Sequence, residues 1–292
     1  MTEISASAVK ELREKTGAGM MLCKKALGET NGDVNAAIDY LRKQGEITAG
    51  KRAERTAKEG KVGIAAKGLT TVMLELNSET DFVAKNDDFN ALLNGLLEVA
   101  LDKKPRDVDS FKIMAAAAFG ERTVQEAVSE KSGIIGEKID IRRVTTVEGD
   151  SSSRVFSYIH MGGKIGVLLK LAGTPTVLEH AKVLELGKDI CMQIAASSPL
   201  AANRDEIPAD KIESEKAIYR ELSLKEGKPE KMLDKIVAGR LEKFYKENVL
   251  TEQLFVKDNE KSINQVIAAC AKEAGGEIKV MSFVRYQLGV SA

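Results

Sequence analysis

Gly60-Lys61-Val62-Gly63-Ile64 sets the reading of this chain, because it returns as Gly163-Lys164-Ile165-Gly166-Val167. Each copy opens a strand-like run that leads on to a helical one. After the first, Val62, Ile64 and the run Val72-Met73-Leu74-Glu75-Leu76 are strand formers, with Gly68 in the turn between them, and this predicts a hairpin. Phe89, Leu92, Leu93, Leu96, Leu97 and Ala100 then recur at steps of three and four, the spacing of one buried helix face. The second copy sits among strand-like runs at 139–147, 155–160 and 165–171, and Val183, Gly187, Ile190, Cys191 and Ile194 follow at helical steps. Five residues do not prove duplication, but two related α+β subdomains, at 55–145 and 146–292, is the economical reading.

Outward from the first copy, residues 1–54 read as three short helices and a connector. Ser5 or Ser7 caps a helix carrying Val9 and Leu12, and Gly17-Ala18-Gly19 turns the chain. Met21, Leu22, Lys25 and Ala26 resume helical spacing, and Asn31-Gly32-Asp33 breaks and caps again before Val34, Ala37, Ile38 and Leu41. Gly45 is expected to close that third helix. The basic run 51–61 reads as a solvated connector, with RNA contact as its functional alternative. A further alanine-rich helix is expected over 111–128. Beyond the second copy, Pro208-Ala209-Asp210 starts a charged helix, Gly227-Lys228-Pro229 turns the chain, and Met232, Leu233, Ile236, Val237, Leu241 and Phe244 mark a second helix. This helical hairpin, inserted at about 209–246, has a thin apolar seam of Ile212, Tyr219 and Leu222 on its first arm. A helix with Ile263, Val266, Ile267 and Cys270 and an alternating run over 278–284 complete the chain.

Composition narrows the function classes. Lysine plus arginine and aspartate plus glutamate each number 44 in 292 residues, so the net charge is zero, which argues against a dedicated nucleic-acid binder. No apolar run is long enough to span a membrane, and the opening Met1-Thr2-Glu3-Ile4 lacks the layout of a signal peptide, so a cytoplasmic setting is expected. Cys23, Cys191 and Cys270 stand far apart without neighbouring histidines, against a zinc site or disulfide framework. With only His160 and His180, a histidine-based hydrolase would need both in one site, and the carboxylates stand in charge-mixed helical contexts. Phosphate loops fail as well. Gly162-Gly163-Lys164 is followed by Ile165, without the spaced first glycine or the magnesium-binding hydroxyl, and Gly17-Ala18-Gly19 lacks a third glycine and a preceding strand. No enzyme, cofactor, metal or directly bound nucleotide is expected.

The informative segment is Thr80-Asp81-Phe82-Val83-Ala84-Lys85, between a buried strand and the cap of the Phe89 helix. On residues alone, Phe82 is expected to pack beneath that helix while Asp81 caps a turn. The hexapeptide, however, resembles the signature of the elongation factor Ts family. So do Lys10-Glu11-Leu12-Arg13-Glu14-Lys15-Thr16-Gly17-Ala18-Gly19-Met20-Met21 and the following Cys23-Lys24-Lys25-Ala26-Leu27. Ile141-Arg142-Arg143, Tyr158-Ile159-His160, Ile165-Gly166-Val167, Gly227-Lys228-Pro229 and Gly239-Arg240 continue the match in family order to about Gly289.

The resemblance implies a ubiquitin-associated-like helical domain at the amino end, a core of two related subdomains and a protruding antiparallel coiled coil. It implies a guanine-nucleotide exchange factor that binds elongation factor Tu, GDP-bound or nucleotide-free, in protein synthesis. Thr80, Asp81, Phe82 and Val83 match the family's magnesium-dislocating residues, and Arg13, Met20 and Met21 match positions that touch the GTPase. His160 matches a contact histidine, although Met161 and Gly162 depart from the residues that usually follow. A homodimer, or a heterotetramer with the partner, fits the family pattern. Some members carry a further helix beyond the position of Gly289, where here only Val290, Ser291 and Ala292 follow, so that contact is expected to be missing.

The absent phosphate loop makes a first prediction. Equilibrium dialysis of this chain against GDP and magnesium will show no saturable uptake, and a micromolar site would overturn the exclusion.

Overall fold

Local signals start the first helices as expected. In the computed structural model, which describes residues 4–52 and 54–290 apart from the side chains of 46–51, Ser5 accepts a hydrogen bond from the Ala8 amide and begins α1 (Ala6–Thr16). Expectations that fall on residues 1–3, the Lys51 side chain, Ala53 and residues 291–292 lie outside the described residues. Helix α2 (Met20–Glu29) follows, and the Asp33 carboxylate accepts from the amides of Asn35 and Ala36 at 2.8 and 3.0 Å to begin α3 (Val34–Arg52). Leu12, Cys23, Ala26, Leu27 and Ala37 form their shared core.

Next come β1 (Glu59–Lys67) and β2 (Thr70–Ser78), an antiparallel hairpin in the register Gly60↔Asn77, Val62↔Glu75, Ile64↔Met73. Strand β2 is buried along its length. A one-turn helix α4 (Asp81–Ala84) leads to α5 (Asp87–Lys103), whose Phe89, Leu92, Leu93, Leu96 and Leu97 pack on Val72, Leu74 and Leu76 of β2. The single helix expected over 111–128 is not formed. Its place is taken by α6 (Val108–Lys112), a short pair of strands β3 (Ala115–Ala116) and β4 (Arg122–Thr123), and α7 (Val124–Ile135). The run breaks because Gly120 turns left-handed (φ 66°) and Thr123 makes a capping box with Glu126, which restarts the helix.

Gly45 does not close α3 either. It is buried against Gly133 of α7, where a Cβ on Gly133 would lie 2.6 Å from the Gly45 Cα. The glycine lets two helices cross closely, so the helix continues through it to Arg52.

Strand β5 (Asp140–Glu148) joins the free edge of β2, giving the order β1-β2-β5. A second sheet repeats this layout: the neighbours β6 (Ser153–His160) and β7 (Ile165–Ala172) gain β10 (Lys279–Gln287) beside β7, in the order β10-β7-β6. Each pair is followed by a long helix, here α9 (Ala181–Ser197) after the short α8 (Pro175–Leu178). Small antiparallel sheets with helices packed on them make the chain α+β. The helices α10 (Ala209–Lys225) and α11 (Leu233–Asn248) pair through Arg240–Glu226 at 2.7 Å and Arg220–Asp234, over a small core of Ala201, Ile207, Phe244 and Val249. Strands β8 (Leu254–Phe255) and β9 (Asp258–Ser262) and helix α12 (Ile263–Ala274) complete the elements. Two compact units result. One holds the residues up to Thr146 with Met161–Ile165 and the segment from Tyr286, and the other holds Val147–His160 and Gly166–Arg285.

Gly60 is the backbone position that the hairpin cannot do without. Its φ is 131°, and an added Cβ would fall 2.1 Å from the Leu76 carbonyl oxygen. Gly60→Ala is therefore expected to cost at least about 1–3 kcal/mol, read as a lower urea midpoint at an unchanged m-value.

Candidate functional site

The buried strand β2 hands the chain straight to the signature segment. Thr80 is extended (φ −124°, ψ 156°), and its Oγ1 accepts from the Val83 amide at 3.4 Å, so Thr80 is the cap of α4 and Asp81 is not. A single helical turn points successive side chains about 100° apart. Ala84 is buried and Val83 packs half-buried on the first core, which leaves Phe82 aimed outward and 80% exposed. The expectation from residues alone that Phe82 packs beneath α5 is thus overturned, and the buried face of α5 is filled by its own Phe89, Leu92 and Leu96.

Asp81 answers to Lys85, four residues on. Lys85 Nζ donates to Asp81 Oδ2 at 2.7 Å and lies 5.8 Å from the Phe82 ring centroid, within cation–π range. That hydrogen bond, helped by the charges of Lys85 and Lys164, holds the Asp81 carboxyl below its ordinary range, so it is ionised at neutral pH. The turn therefore presents an apolar ring with a carboxylate and an ammonium beside it.

A polar clamp grips the base of the turn. Thr80 donates to Glu137 twice, from its amide to Oε2 at 3.0 Å and from Oγ1 to Oε1 at 2.7 Å. The Ser78 hydroxyl donates to the Thr80 carbonyl at 2.8 Å. Next door, the Lys138 amide donates to Glu79 Oε1 at 2.6 Å, and Arg55 Nη1 reaches the same carboxylate at 3.2 Å. The Lys138 amide, with Arg55 after it, holds Glu79 below the ordinary carboxylate range. Sequence reasoning missed Glu137 and Glu79, because each meets its partner across more than fifty residues and no local spacing announces such a contact. The Asp81–Lys85 pair was missed as well, although its i, i+4 spacing is a signal that could have found it.

The basic run 51–61 is largely engaged inside the protein. Arg52 donates to the Ser132 carbonyl at 2.9 Å, Arg55 pairs with Glu79, and Lys61 Nζ donates to Asn90 Oδ1 at 2.7 Å. Three of its cations thus have intramolecular partners, which disfavours an RNA-binding strip.

The remaining expected contacts fall on other elements. Arg13 is exposed on α1, and Met20 and Met21, at the start of α2, are 60% and 76% exposed. These three belong to the helical bundle and lie outside the turn. His160 ends β6 in the other unit, exposed, with its Nδ1 3.0 Å from the Tyr158 hydroxyl. His180 caps α9, its Nδ1 accepting from the Lys182 amide at 3.3 Å. Burial pushes the Cys191 thiol up to about 12, and it raises Cys23 and Cys270 as well. Among the described residues no group of three or more histidine, cysteine, aspartate or glutamate side chains is arranged to hold a metal, and no helix is long and apolar enough to cross a membrane.

Comparison with known proteins bears on this turn. The family described as Elongation factor TS matches residues 79–290. Elongation factor Ts of Chlorobium phaeobacteroides is 45% identical over 99% of this chain and all of its own length. The Clostridium botulinum (strain Alaska E43) protein of that name is 46% identical over 98% of this chain and 93% of its own, and the Prosthecochloris aestuarii one is 44% identical over 99% and 100%.

Because Phe82 stands in solvent, Phe82→Ala is expected to shift folding stability by no more than about 0.5 kcal/mol. A core phenylalanine would lose about 3–5 kcal/mol. Urea unfolding of the purified variant separates the two.

Proposed function

The chain belongs to the elongation factor Ts family, and from that premise we propose that it is the guanine-nucleotide exchange factor of elongation factor Tu in translation elongation. The observation that carries the mechanism is the displayed turn: a phenylalanine 80% exposed beside an ionised aspartate, on a clamped base. Exchange needs no bond chemistry in this chain. It needs a complex with the nucleotide-free GTPase stable enough that partner and nucleotide weaken each other reciprocally.

Phe82 supplies binding energy. Burying the ring in an apolar slot of the partner is worth roughly 1.5–3 kcal/mol, and none of that is realised in the free protein, where the ring meets water. Asp81 supplies charge. A carboxylate brought near a magnesium site competes with the oxygen ligands and water that hold the ion, and the ion's hold on the phosphates weakens with it. Thr80 and Val83 fix the turn from which both act. Arg13, Met20 and Met21 on the helical bundle, and His160 on the second sheet, are read as further contacts. Methionine suits such a surface because its flexible thioether adapts to a partner's contours.

In this reading residues 1–54 form a ubiquitin-associated-like domain with its linker, residues 55–145 and 146–292 form two related core subdomains, and 209–246 is a coiled-coil hairpin. The partner is met with GDP bound and released after GTP rebinds, in the cytoplasm, as a homodimer or in a heterotetramer with the GTPase.

Stopped-flow release of fluorescent GDP from elongation factor Tu tests the mechanism. Phe82→Ala should remove a contact worth above about 2 kcal/mol and slow release accordingly. Asp81→Ala should also slow it, and excess magnesium should oppose the wild type. Normal release by Phe82→Ala would sink the assignment of the turn, and normal release by Asp81→Ala would remove the part given to the carboxylate.

A further inference from the structure

We propose that Glu137 is the positioning residue of the exchange turn: it touches neither the partner's nucleotide nor its magnesium, but holds Phe82 and Asp81 in the posture from which they insert. The inference rests on the reading of the turn given above.

The argument begins with the weakness of the turn itself. Helix α4 has four residues, and a single helical turn is an unfavourable nucleus in isolation, with most of its dihedral cost unreturned. Its outward residue, Phe82, adds no packing, and the inward Val83 and Ala84 attach only its far end to the core, leaving the capped end to be fixed otherwise. Something outside the segment must therefore fix the residue that caps it, and that residue is Thr80. Three groups of Thr80 are engaged: the amide and hydroxyl donate to Glu137, and the carbonyl accepts from Ser78. The same hydroxyl oxygen still accepts from the Val83 amide. Because the Thr80 hydroxyl gives its proton to Glu137, its lone pair is turned toward the helix. The carboxylate thus sets the direction of the cap as well as the place of its backbone.

Glu137 is itself held. Its carbonyl accepts from the Ser132 hydroxyl at 2.6 Å, and the Ser132 carbonyl accepts from Arg52 at 2.9 Å. Beside it the pairing is reciprocal: Thr80's amide meets Glu137, while Lys138's amide meets Glu79. Two segments far apart in sequence are tied side chain to backbone in both directions. Lys138 Nζ also donates to the Arg55 carbonyl at 2.9 Å, so the connector that follows α3 is part of the same clamp. Hydrogen bonds to an ionised carboxylate are about twice as strong as neutral ones, which suits a clamp near the surface. Rigid presentation matters because the ring and the carboxylate must arrive together. A misplacement of about 1 Å in such a constellation can cost on the order of a hundredfold in rate.

The test uses the full chain and elongation factor Tu loaded with fluorescent GDP. Glu137→Ala should melt close to the wild type, and the Thr80 and Val83 amides of the free protein should exchange with deuterium about tenfold faster or more. The maximal rate of GDP release at saturating exchange factor should fall by about tenfold, with half-saturation within about twofold of the wild type. Combining Glu137→Ala with Phe82→Ala should slow release by clearly less than the product of the two single effects, since Glu137 acts through the ring and the carboxylate it positions. Glu137→Gln should recover most of the rate, because its oxygen still accepts from the Thr80 amide and its NH2 can donate to Thr80 Oγ1. If Glu137→Ala does not fold, Thr80→Val, which takes the hydroxyl out of the clamp, carries the same test, with Thr80→Ser as its rescue.

A normal maximal rate would overturn the proposal. So would additivity with Phe82→Ala, or a raised half-saturation at an unchanged maximum, which would make Glu137 a contact residue. Wild-type release by Phe82→Ala alone would remove the reading of the turn, and this inference with it.

Discussion

A carboxylate sits fully buried at the middle of the central strand of the first sheet, and the first unit is arranged around it. Glu75 belongs to β2, whose other face packs Val72, Leu74 and Leu76 against α5. A buried charge is tolerated only when it is paired and hydrogen-bonded, and removing a partner would leave it uncompensated. Arg143 Nε meets Glu75 Oε2 at 2.8 Å, Asn77 donates at 3.2 Å, and the Gly289 amide donates to Oε1 at 2.9 Å. Arg143 is occupied in turn, with its guanidinium 4.0 Å from the Tyr286 ring centroid and a hydrogen bond to the Gln287 carbonyl. One charge therefore determines where β5 and the segment from Tyr286 must lie. It also anchors the strand whose far end leads into the turn of Thr80 to Ala84.

That anchoring is what makes an exposed aromatic tolerable. Phe82 contributes little to folding, and a solvent-facing ring is a liability unless charged neighbours keep it from casual association. Asp81 and Lys85 stand beside it as an ion pair, while Val83 and Ala84 turn inward and hold the turn to the core. The residues of the signature thus divide between display and attachment. The exposed methionines of α2 follow a similar pattern over the core of Leu12, Cys23 and Leu27.

The even balance of charges is used largely for internal geometry. Arg52, Arg55, Lys61 and Lys138 tie the connector and the turn to neighbouring segments. The helical hairpin shows the opposite regime. Its ion pairs are solvent-exposed and worth little each, so the pairing of its arms leans on the buried Leu233 and Val237 and on the small core at its base.

The sequence by itself determined the elements whose cause is local. The doubled Gly-Lys-Val-Gly-Ile and Gly-Lys-Ile-Gly-Val runs, the helix face from Phe89 to Ala100 and the Ser5 and Asp33 caps are matters of spacing within a few residues. The order of the signature motifs identified the family in the same way. The stretch 111–128 read as one helix, although its break has a local cause, a left-handed Gly120 and the Thr123–Glu126 capping box, that the helix reading passed over. Three features were decided only by the tertiary structure. Gly45 read as a helix end and proved to be a helix crossing, because its partner Gly133 is remote in sequence. On residues alone Phe82 read as core, against the resemblance, and it faces solvent while α5 fills its own buried face with Phe89, Leu92 and Leu96. The carboxylate that grips Thr80 comes from Glu137, and no periodicity within either segment encodes the meeting. Periodicity reports which face of an element is apolar, and only the packing of distant elements decides what each face meets.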